Sequence, residues 1–478
     1  MLNKKLLWLL SLLFLALVGM RFNVSILAWI VFVPLLLLAR ESQTKKEWFS
    51  LFILLQLAYF LQVAKIITDP MPIVMALLFS TPMAIGSWVG LWIFEKIRRK
   101  VGDMLGIFFF ASFMSLSEWL TFYTSELGSW GSMTYTQLDD LAFLQLSSLF
   151  GITFGSFFIY LSSAFIAVFI AHKNRRDFVR PALISFVIYA LFYTYGVWRV
   201  DQGATNQKTI LVAGIASDMQ ITPKGIPVKS YLDKGTNTLI EKTQLAIERG
   251  AKLVAWNEGA TIIFKEDEKK FIKRLKQLSK EKNVELFIAY IVPLDGIKKF
   301  ENKYLFFSKG ELIDTYFKYH PVPGEPAVKG TKLANVTNVQ YANISGAICY
   351  DFDFPQLGRV LSKQGADIVV VPSSDWRGID PIHGLQAMVR AIEGGYSILR
   401  PVRGATSFAF DSFGRVRASL NYFEENDRIL MASLPTKKVW TLYSVVGDVF
   451  PILLLLFVGF VIGSYLRKRN VFTPSSVQ

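Results

Sequence analysis

One cysteine stands in 478 residues, Cys349, so no disulfide can close within the chain. Only three histidines accompany it, His172, His320 and His383, and none sits at a spacing that would complete a zinc site with that thiol. Neither a metal nor another cofactor is therefore expected. Charge is scarce too: Asp, Glu, Lys and Arg make up 19% of the residues, against about 25% in an ordinary soluble protein. The shortage is uneven. The first 200 residues are mostly apolar, residues 201–440 have an ordinary mixture, and an apolar run returns at 443–466. A net charge of +15 would suit nucleic acid, but Lys and Arg cluster in short segments between apolar runs, and no DNA- or RNA-binding motif accompanies them. Nucleic-acid binding is not expected.

Long apolar runs are what the chain has in abundance. A helix needs about 20 apolar residues to cross the hydrocarbon of a bilayer. Spans are predicted at 6–20, 23–39, 48–68, 72–94, 103–123, 145–171, 181–199 and 443–466. The first two are short and fit a tight helical hairpin. Lys4 and Lys5 precede the first run as in a signal peptide, yet no small-residue cleavage site follows, so an uncleaved span is expected. Alternate loops carry the basic residues: Lys4 and Lys5; Arg40, Lys45 and Lys46; Lys96, Arg98, Arg99 and Lys100; Lys173, Arg175, Arg176 and Arg180; and Arg467, Lys468 and Arg469. The positive-inside bias then places both termini in the cytoplasm and the segment between the seventh and eighth spans outside. Gly86 and Gly90 form a small-xxx-small pair suited to helix packing. Glu118, a carboxylate near the end of the fifth span, is either functional or an interfacial group beside aromatic residues.

From residue 208 the pattern changes to short β-rich runs alternating with amphipathic helices. Strands are predicted at Thr209–Ala216, Lys252–Trp256, Val284–Ile291, Tyr304–Phe307, Ala347–Cys349 and Asp367–Pro372, and helices at 230–249, 266–282, 355–364 and 381–396. Such alternation implies an α/β domain with a buried sheet. The expected division is a membrane bundle over 1–200, a catalytic domain over 208–437, a last span over 443–466 and a cytoplasmic tail over 467–478.

Three chemically distinct residues stand at predicted strand ends: Glu258 after Leu253–Asn257, Lys318 after Thr315–Phe317, and Cys349 after Gly346–Ile348. Functional groups gather beyond strand ends in open α/β sheets. A thiol becomes a strong nucleophile once a base takes its proton. Glu258 has the chemistry of that base and Lys318 that of a stabiliser for a tetrahedral oxyanion. Taken singly, each residue also has an ordinary reading: the cysteine as a small buried hydrophobe, the Glu and Lys as solvated surface groups.

The order Glu258, Lys318, Cys349 resembles the nitrilase superfamily, which implies an α-β-β-α sandwich with a Glu base, a Lys oxyanion stabiliser and a Cys nucleophile. Spans on both sides of such a domain look like one branch of it, bacterial apolipoprotein N-acyltransferase. Further matches are Pro34-Leu35-Leu36-Leu37, Glu118-Trp119-Leu120, Trp130, Tyr135-Thr136-Gln137, Leu149-Phe150-Gly151, Ile348-Cys349-Tyr350-Asp351, Ser374-Asp375-Trp376, and His383 to Arg390 with Glu393. The resemblance implies an inner-membrane enzyme in which a phospholipid acyl chain passes through a thioester on Cys349 to the N-terminal amine of a lipoprotein. It implies Glu325 as a supporting carboxylate and Tyr350, Asp351, Trp376 and Trp130 as substrate-binding residues. Five positions depart from the family pattern: Asn257 for a proline, Asp351 for a glutamate, Arg377 for an aromatic residue, Thr121 for an arginine, and a Lys318–Glu325 segment shorter by one residue. The alternatives carried beside the acyltransferase are a membrane-tethered amidase, with water attacking the thioester, and a binding scaffold.

Overall fold

Apolar length decides most of the helices in the N-terminal part of the chain. The computed structural model describes residues 3–172, 176–203, 207–219, 225–294 and 298–470. Lys173 and Arg175 of the expected basic loops, and the tail after Asn470, lie outside the described residues. Two compact units emerge, one of residues 1–199 with 446–478 and one of residues 200–445.

Among the described residues, six helices are long and apolar enough to cross a membrane: Lys45–Ala64, Val74–Val101, Asp103–Thr124, Ile152–Ala171, Arg176–Gln202 and Val449–Lys468. The two earliest predicted spans take another form. The first is a 14-residue helix, Lys4–Leu17. The second divides into Ser25–Ala28 and Val33–Glu41, with Pro34 in the first turn of the latter, where a missing N–H costs nothing. The region predicted as 145–171 divides likewise at Gly151, whose φ of +74° separates the short helix Ser147–Phe150 from Ile152–Ala171.

A Cβ at Gly90 would lie 2.5 Å from Met114 Sδ, and one at Gly86 3.1 Å from Ser117 Oγ. The small-residue pair therefore sets how closely Val74–Val101 packs on Asp103–Thr124. Glu118 does not snorkel. Its carboxylate accepts hydrogen bonds from Ser156 Oγ and Tyr160 OH at 2.6 Å, Ser132 Oγ at 3.0 Å and the Met133 N–H at 3.1 Å. It ties the segment around residue 132 to the helix Ile152–Ala171, the paired state that a carboxylate needs inside a bundle.

Among its described residues, the second unit is a sandwich of two six-stranded sheets. Its strands are β1 (Thr209–Ile215), β2 (Leu253–Trp256), β3 (Glu285–Pro293), β4 (Phe300–Ser308), β5 (Glu311–Phe317), β6 (Thr337–Asn338), β7 (Asn343–Gly346), β8 (Ile368–Val370), β9 (Ser373–Ser374), β10 (Ser397–Arg400), β11 (Val402–Arg403), β12 (Thr406–Phe410), β13 (Val416–Asn421) and β14 (Ile429–Pro435). One sheet runs β14-β1-β2-β3-β4-β5 and the other β13-β12-β10-β8-β7-β6, while β9 and β11 pair separately. β1, β2 and β3 are parallel, as are β7, β8 and β10. Parallel strands need crossovers, and helices supply them.

Helices Lys229–Glu248 and Lys265–Lys282 cover the first sheet, and Ile382–Gly394 covers the second. The sheets meet face to face: a Cβ at Gly346 on β7 would lie 2.3 Å from Phe287 Cζ on β3, so only glycine allows that approach. The helix Lys265–Lys282 shows why the sequence signals work. Glu266, Asp267 and Glu268 occupy its first turn, Lys280 and Lys282 its last, and Asn283 ends it with a left-handed φ of +47°. Phe271, Leu275 and Leu278 lie on its buried face, against Trp256, Leu286 and Tyr290 of the sheet core.

Candidate active site

Glu258 is the second residue after β2, held there by its neighbour Asn257. The Asn257 N–H donates to Ile215 O at 3.0 Å, its side-chain oxygen accepts from the Ser217 N–H at 2.8 Å, and its Nδ2 donates to Glu258 O at 2.8 Å. Lys318 follows β5, its N–H bonded to Asn302 O on β4 at 2.9 Å. The Lys318 ammonium is 2% exposed and donates to Glu258 Oε1 and to Glu325 Oε2, both at 2.8 Å. Asn302, a residue with no signal in the sequence, bridges the same two carboxylates, 2.8 Å from Glu258 Oε1 and 3.0 Å from Glu325 Oε1. The Val322 N–H closes the loop by donating to Glu325 Oε2 at 2.9 Å.

This geometry fixes the charges. Burial works against the Lys318 ammonium, but Glu258 and Glu325 hold its pKa well above the usual lysine range. Burial would raise the Glu325 carboxyl, and Lys318 instead keeps it below its ordinary value. Glu258 Oε1 is taken by Lys318 and Asn302; Oε2 accepts from no described protein donor, which leaves it able to take a proton.

Cys349 lies three residues beyond β7, in a turn rather than at a strand end, and opens the 3₁₀ helix Cys349–Asp353. Its φ of +48° is one that non-glycine residues seldom adopt and that surrounding contacts must enforce. The enforcing contacts are its N–H on Pro372 O at 2.9 Å, the Asp351 N–H on Ile348 O at 3.0 Å, and the Ile348 N–H on Asp351 Oδ2 at 3.1 Å. The thiol lies within electrostatic reach of Glu258, Asp375, Lys318 and Arg400, and burial together with the two carboxylates pushes its pKa well up. At rest it is a neutral S–H, 3.7 Å from Asp375 Oδ1.

Asp351, expected to bind substrate, is enclosed instead. It is fully buried, and its carboxylate accepts from Tyr316 OH at 2.8 Å, the His320 N–H at 2.6 Å and the Tyr319 N–H at 3.3 Å besides the Ile348 N–H. It clamps the segment after Lys318 to the turn that carries Cys349. Tyr350 is buried beside it, edge-on to Phe354 with ring centroids 5.4 Å apart. Trp376 is half-buried after β9, and Trp130 lies in the membrane unit in the turns after Asp103–Thr124.

Behind the thiol is a charge network only partly visible in the sequence. His383 Nδ1 lies 2.9 Å from Asp375 and its Nε2 2.9 Å from Asp353, while Arg400 Nη2 lies 2.9 Å from Asp375 Oδ2 and from His383 Nδ1. Ligand atoms of Cys349, Asp375 and His383 fall within 4.8 Å of one another, as metal ligands would. The Arg400 guanidinium fills the place of the cation, however, and a fixed positive charge there opposes a metal ion.

Burial disfavours an imidazolium at His383, but Asp353 and Asp375 outweigh it and push the pKa up to about 9, from an ordinary 6.5. A raised pKa in the folded state gives stability that is fully present below pH 6.5 and is lost as pH rises through 9. The melting temperature of a His383→Gln variant is therefore expected to lie below that of the wild type at pH 7, with the gap narrowing toward pH 9.5. A gap that stays constant over this range would mean that the imidazole is neutral throughout.

Two family models match the chain: apolipoprotein N-acyltransferase N-terminal domain over residues 10–165, and carbon-nitrogen hydrolase over residues 215–441. Relatives named apolipoprotein N-acyltransferase include one from Borreliella burgdorferi, 26% identical over 76% of this chain and 78% of its own. Another, from Geobacter metallireducens, is 24% identical over 90% of this chain and 88% of its own. Among solved structures, an amidase from Nesterenkonia sp. matches at 19% identity and a TM-score of 0.40, covering 49% of this chain and 93% of that one. Matched in both its membrane half and its hydrolase-type half, the chain belongs to the apolipoprotein N-acyltransferase family, a membrane-bound branch of the nitrilase superfamily.

Proposed function

We propose that this inner-membrane enzyme transfers an acyl chain from a phospholipid, through a thioester on Cys349, to the N-terminal amine of a diacylglyceryl-cysteine lipoprotein. The observation that carries the reading is the joint presence of the acyltransferase N-terminal domain and a cluster of buried Glu258 and Lys318 with half-buried Glu325 beside a lone buried thiol. The amidase alternative has no use for the matched membrane half, and a scaffold has no use for a strained, buried nucleophile.

In this mechanism Glu258 takes the thiol proton as sulfur attacks the ester carbonyl and the C–S bond forms. Lys318 donates to the resulting oxyanion. When the C–O bond breaks, the proton on Glu258 passes to the leaving alkoxide and a lysophospholipid departs. The lipoprotein amine then attacks the thioester carbonyl and Glu258 removes the amine proton. As the C–N bond forms and the C–S bond breaks, the proton returns to sulfur and the thiol is restored. Glu325 and Asn302 keep Lys318 charged and aimed, and Asp351 is a positioning residue for the turn that carries Cys349. The basic loops support an orientation with both termini in the cytoplasm and the sandwich on the outer side, where both substrates are anchored.

Intact-protein mass spectrometry of the purified enzyme after incubation with phospholipid tests the reading. A hydroxylamine-sensitive adduct of one acyl chain is expected on the wild type and none on Cys349→Ala. Wild-type protein that stays unmodified while turning over a small amide would transfer the assignment to a hydrolase.

A further inference from the structure

Arg403 and Arg377 are cations beside the nucleophile that the mechanism above does not use. The Arg403 Nε and Nη2 donate to the neutral Ser374 Oγ at 3.2 and 2.6 Å. Its backbone oxygen accepts from the Asp375 N–H at 3.0 Å, and Ser374 O lies 4.0 Å from Cys349 Sγ. The guanidinium is thus anchored one residue from the thiol's own contacts and feels the fields of Tyr422, Glu258 and Asp375. Its Nη1 donates to no described protein atom. Arg377 is exposed, its guanidinium carbon 4.7 Å above the ring of Phe423. Phe423 is 46% exposed and lies 5.3 Å, centroid to centroid, from Tyr422. Neither arginine forms an ion pair with a carboxylate among the described residues, whereas Arg400, Arg415 and Arg428 all do.

A half-buried guanidinium without a carboxylate is costly unless an anion completes it. We propose that Arg403, anchored on Ser374, and Arg377, over the ring of Phe423, receive the phosphodiester of the acyl donor and select a phospholipid of net negative charge. The inference rests on the acyltransferase reading and adds the class of donor to it. Arginine forks bind phosphate oxygens in pairs and stack on aromatic faces. Two guanidiniums attract any phosphodiester, but they repel an ammonium in the same headgroup. A donor whose headgroup has no cation is therefore favoured over a zwitterionic one. Arg403 near Cys349 would hold the phosphate close to the reacting ester, and Arg377 on the outer side would meet the rest of the headgroup.

The experiment compares the rate at which Cys349 is acylated by phosphatidylglycerol and by phosphatidylethanolamine with matched acyl chains, in neutral detergent. The wild type should prefer phosphatidylglycerol by about tenfold, a preference that shrinks as salt is raised. Arg377→Phe, a surface change, should reduce the ratio severalfold, and Arg403→Asn should bring it close to one. Equal rates in the wild type overturn the proposal and leave the acyltransferase standing. So does Arg403→Asn slowing both donors alike with the ratio kept, since Arg403 would then serve only to balance Glu258. No adduct from either lipid would remove the proposal and the acyltransferase reading together.

Discussion

Glu258→Gln is expected to give a folded protein in which acylation of Cys349 at pH 7 is about a thousandfold slower, the loss of a general base. Glutamine keeps the shape and a carbonyl oxygen that can still accept from Lys318 and Asn302, which now bind Glu258 Oε1 at 2.8 Å each. Lys318 also keeps Glu325 as its counter-ion at 2.8 Å, so no buried charge is left unpaired and the melting temperature should move little. Only the proton acceptor is lost. That matters because the resting thiol is neutral, its pKa raised by burial, Glu258 and Asp375. Removing the Glu258 charge also removes one cause of that elevation, so the thiol of the variant ionises more readily than before. Acylation by Glu258→Gln should consequently climb with pH as thiolate forms unaided, while the wild type stays comparatively flat. Timed intact-mass measurements from pH 7 to 9.5 give both slopes. Wild-type rates in the variant at pH 7 would take Glu258 out of the mechanism.

Where local chemistry determined structure, the sequence could be read closely. The helix predicted at 266–282 runs Lys265–Lys282, bounded by an acidic first turn and by Asn283, and the strand predicted at Thr209–Ala216 is β1, Thr209–Ile215. Where tertiary contact decided, it could not. The strands from residue 397 on are short and interrupted by Arg400, Arg403 and Gly404, so no alternation marks them; β10, β12 and β13 exist because the second sheet pairs them, and β11 because β9 does. Cys349 reads as a strand residue from Gly346-Ala347-Ile348, yet Asp351 and Pro372 O force it into a turn with positive φ. Glu258, Lys318 and Glu325 were legible through order and resemblance. Asn302 and Arg400 were not, because a polar residue inside an apolar strand shows its partner only after folding. Asp351 lies two residues from Cys349 in sequence, and the fold turns its carboxylate inward to Tyr316 and the segment after Lys318.

Lys318→Met should damage stability and chemistry together, and the two losses can be separated. Methionine matches the length of the lysine stem but leaves Glu258 and Glu325, both bonded to Lys318 at 2.8 Å in the wild type, facing each other with only Asn302 between them. Removing one partner of a buried ion pair costs about 3–5 kcal/mol, or roughly 10 °C for a domain of this size. The pH dependence changes sign as well. In the wild type, Lys318 lowers the Glu325 pKa, and this contribution to stability is lost as the pH falls. In the variant one carboxyl must stay protonated, so its pKa is raised and the melting temperature should rise as the pH drops from 7 toward 5. Acylation should fall about a hundredfold or more, the loss of an oxyanion donor, with no recovery at low pH. The double variant Lys318→Met, Glu325→Gln removes the surplus charge and should regain most of the melting temperature at pH 7 while remaining unable to form the thioester. If acylation returned along with stability, Lys318 would be only a counter-ion for the two carboxylates, and the oxyanion would have to be stabilised by backbone donors of the nucleophile turn.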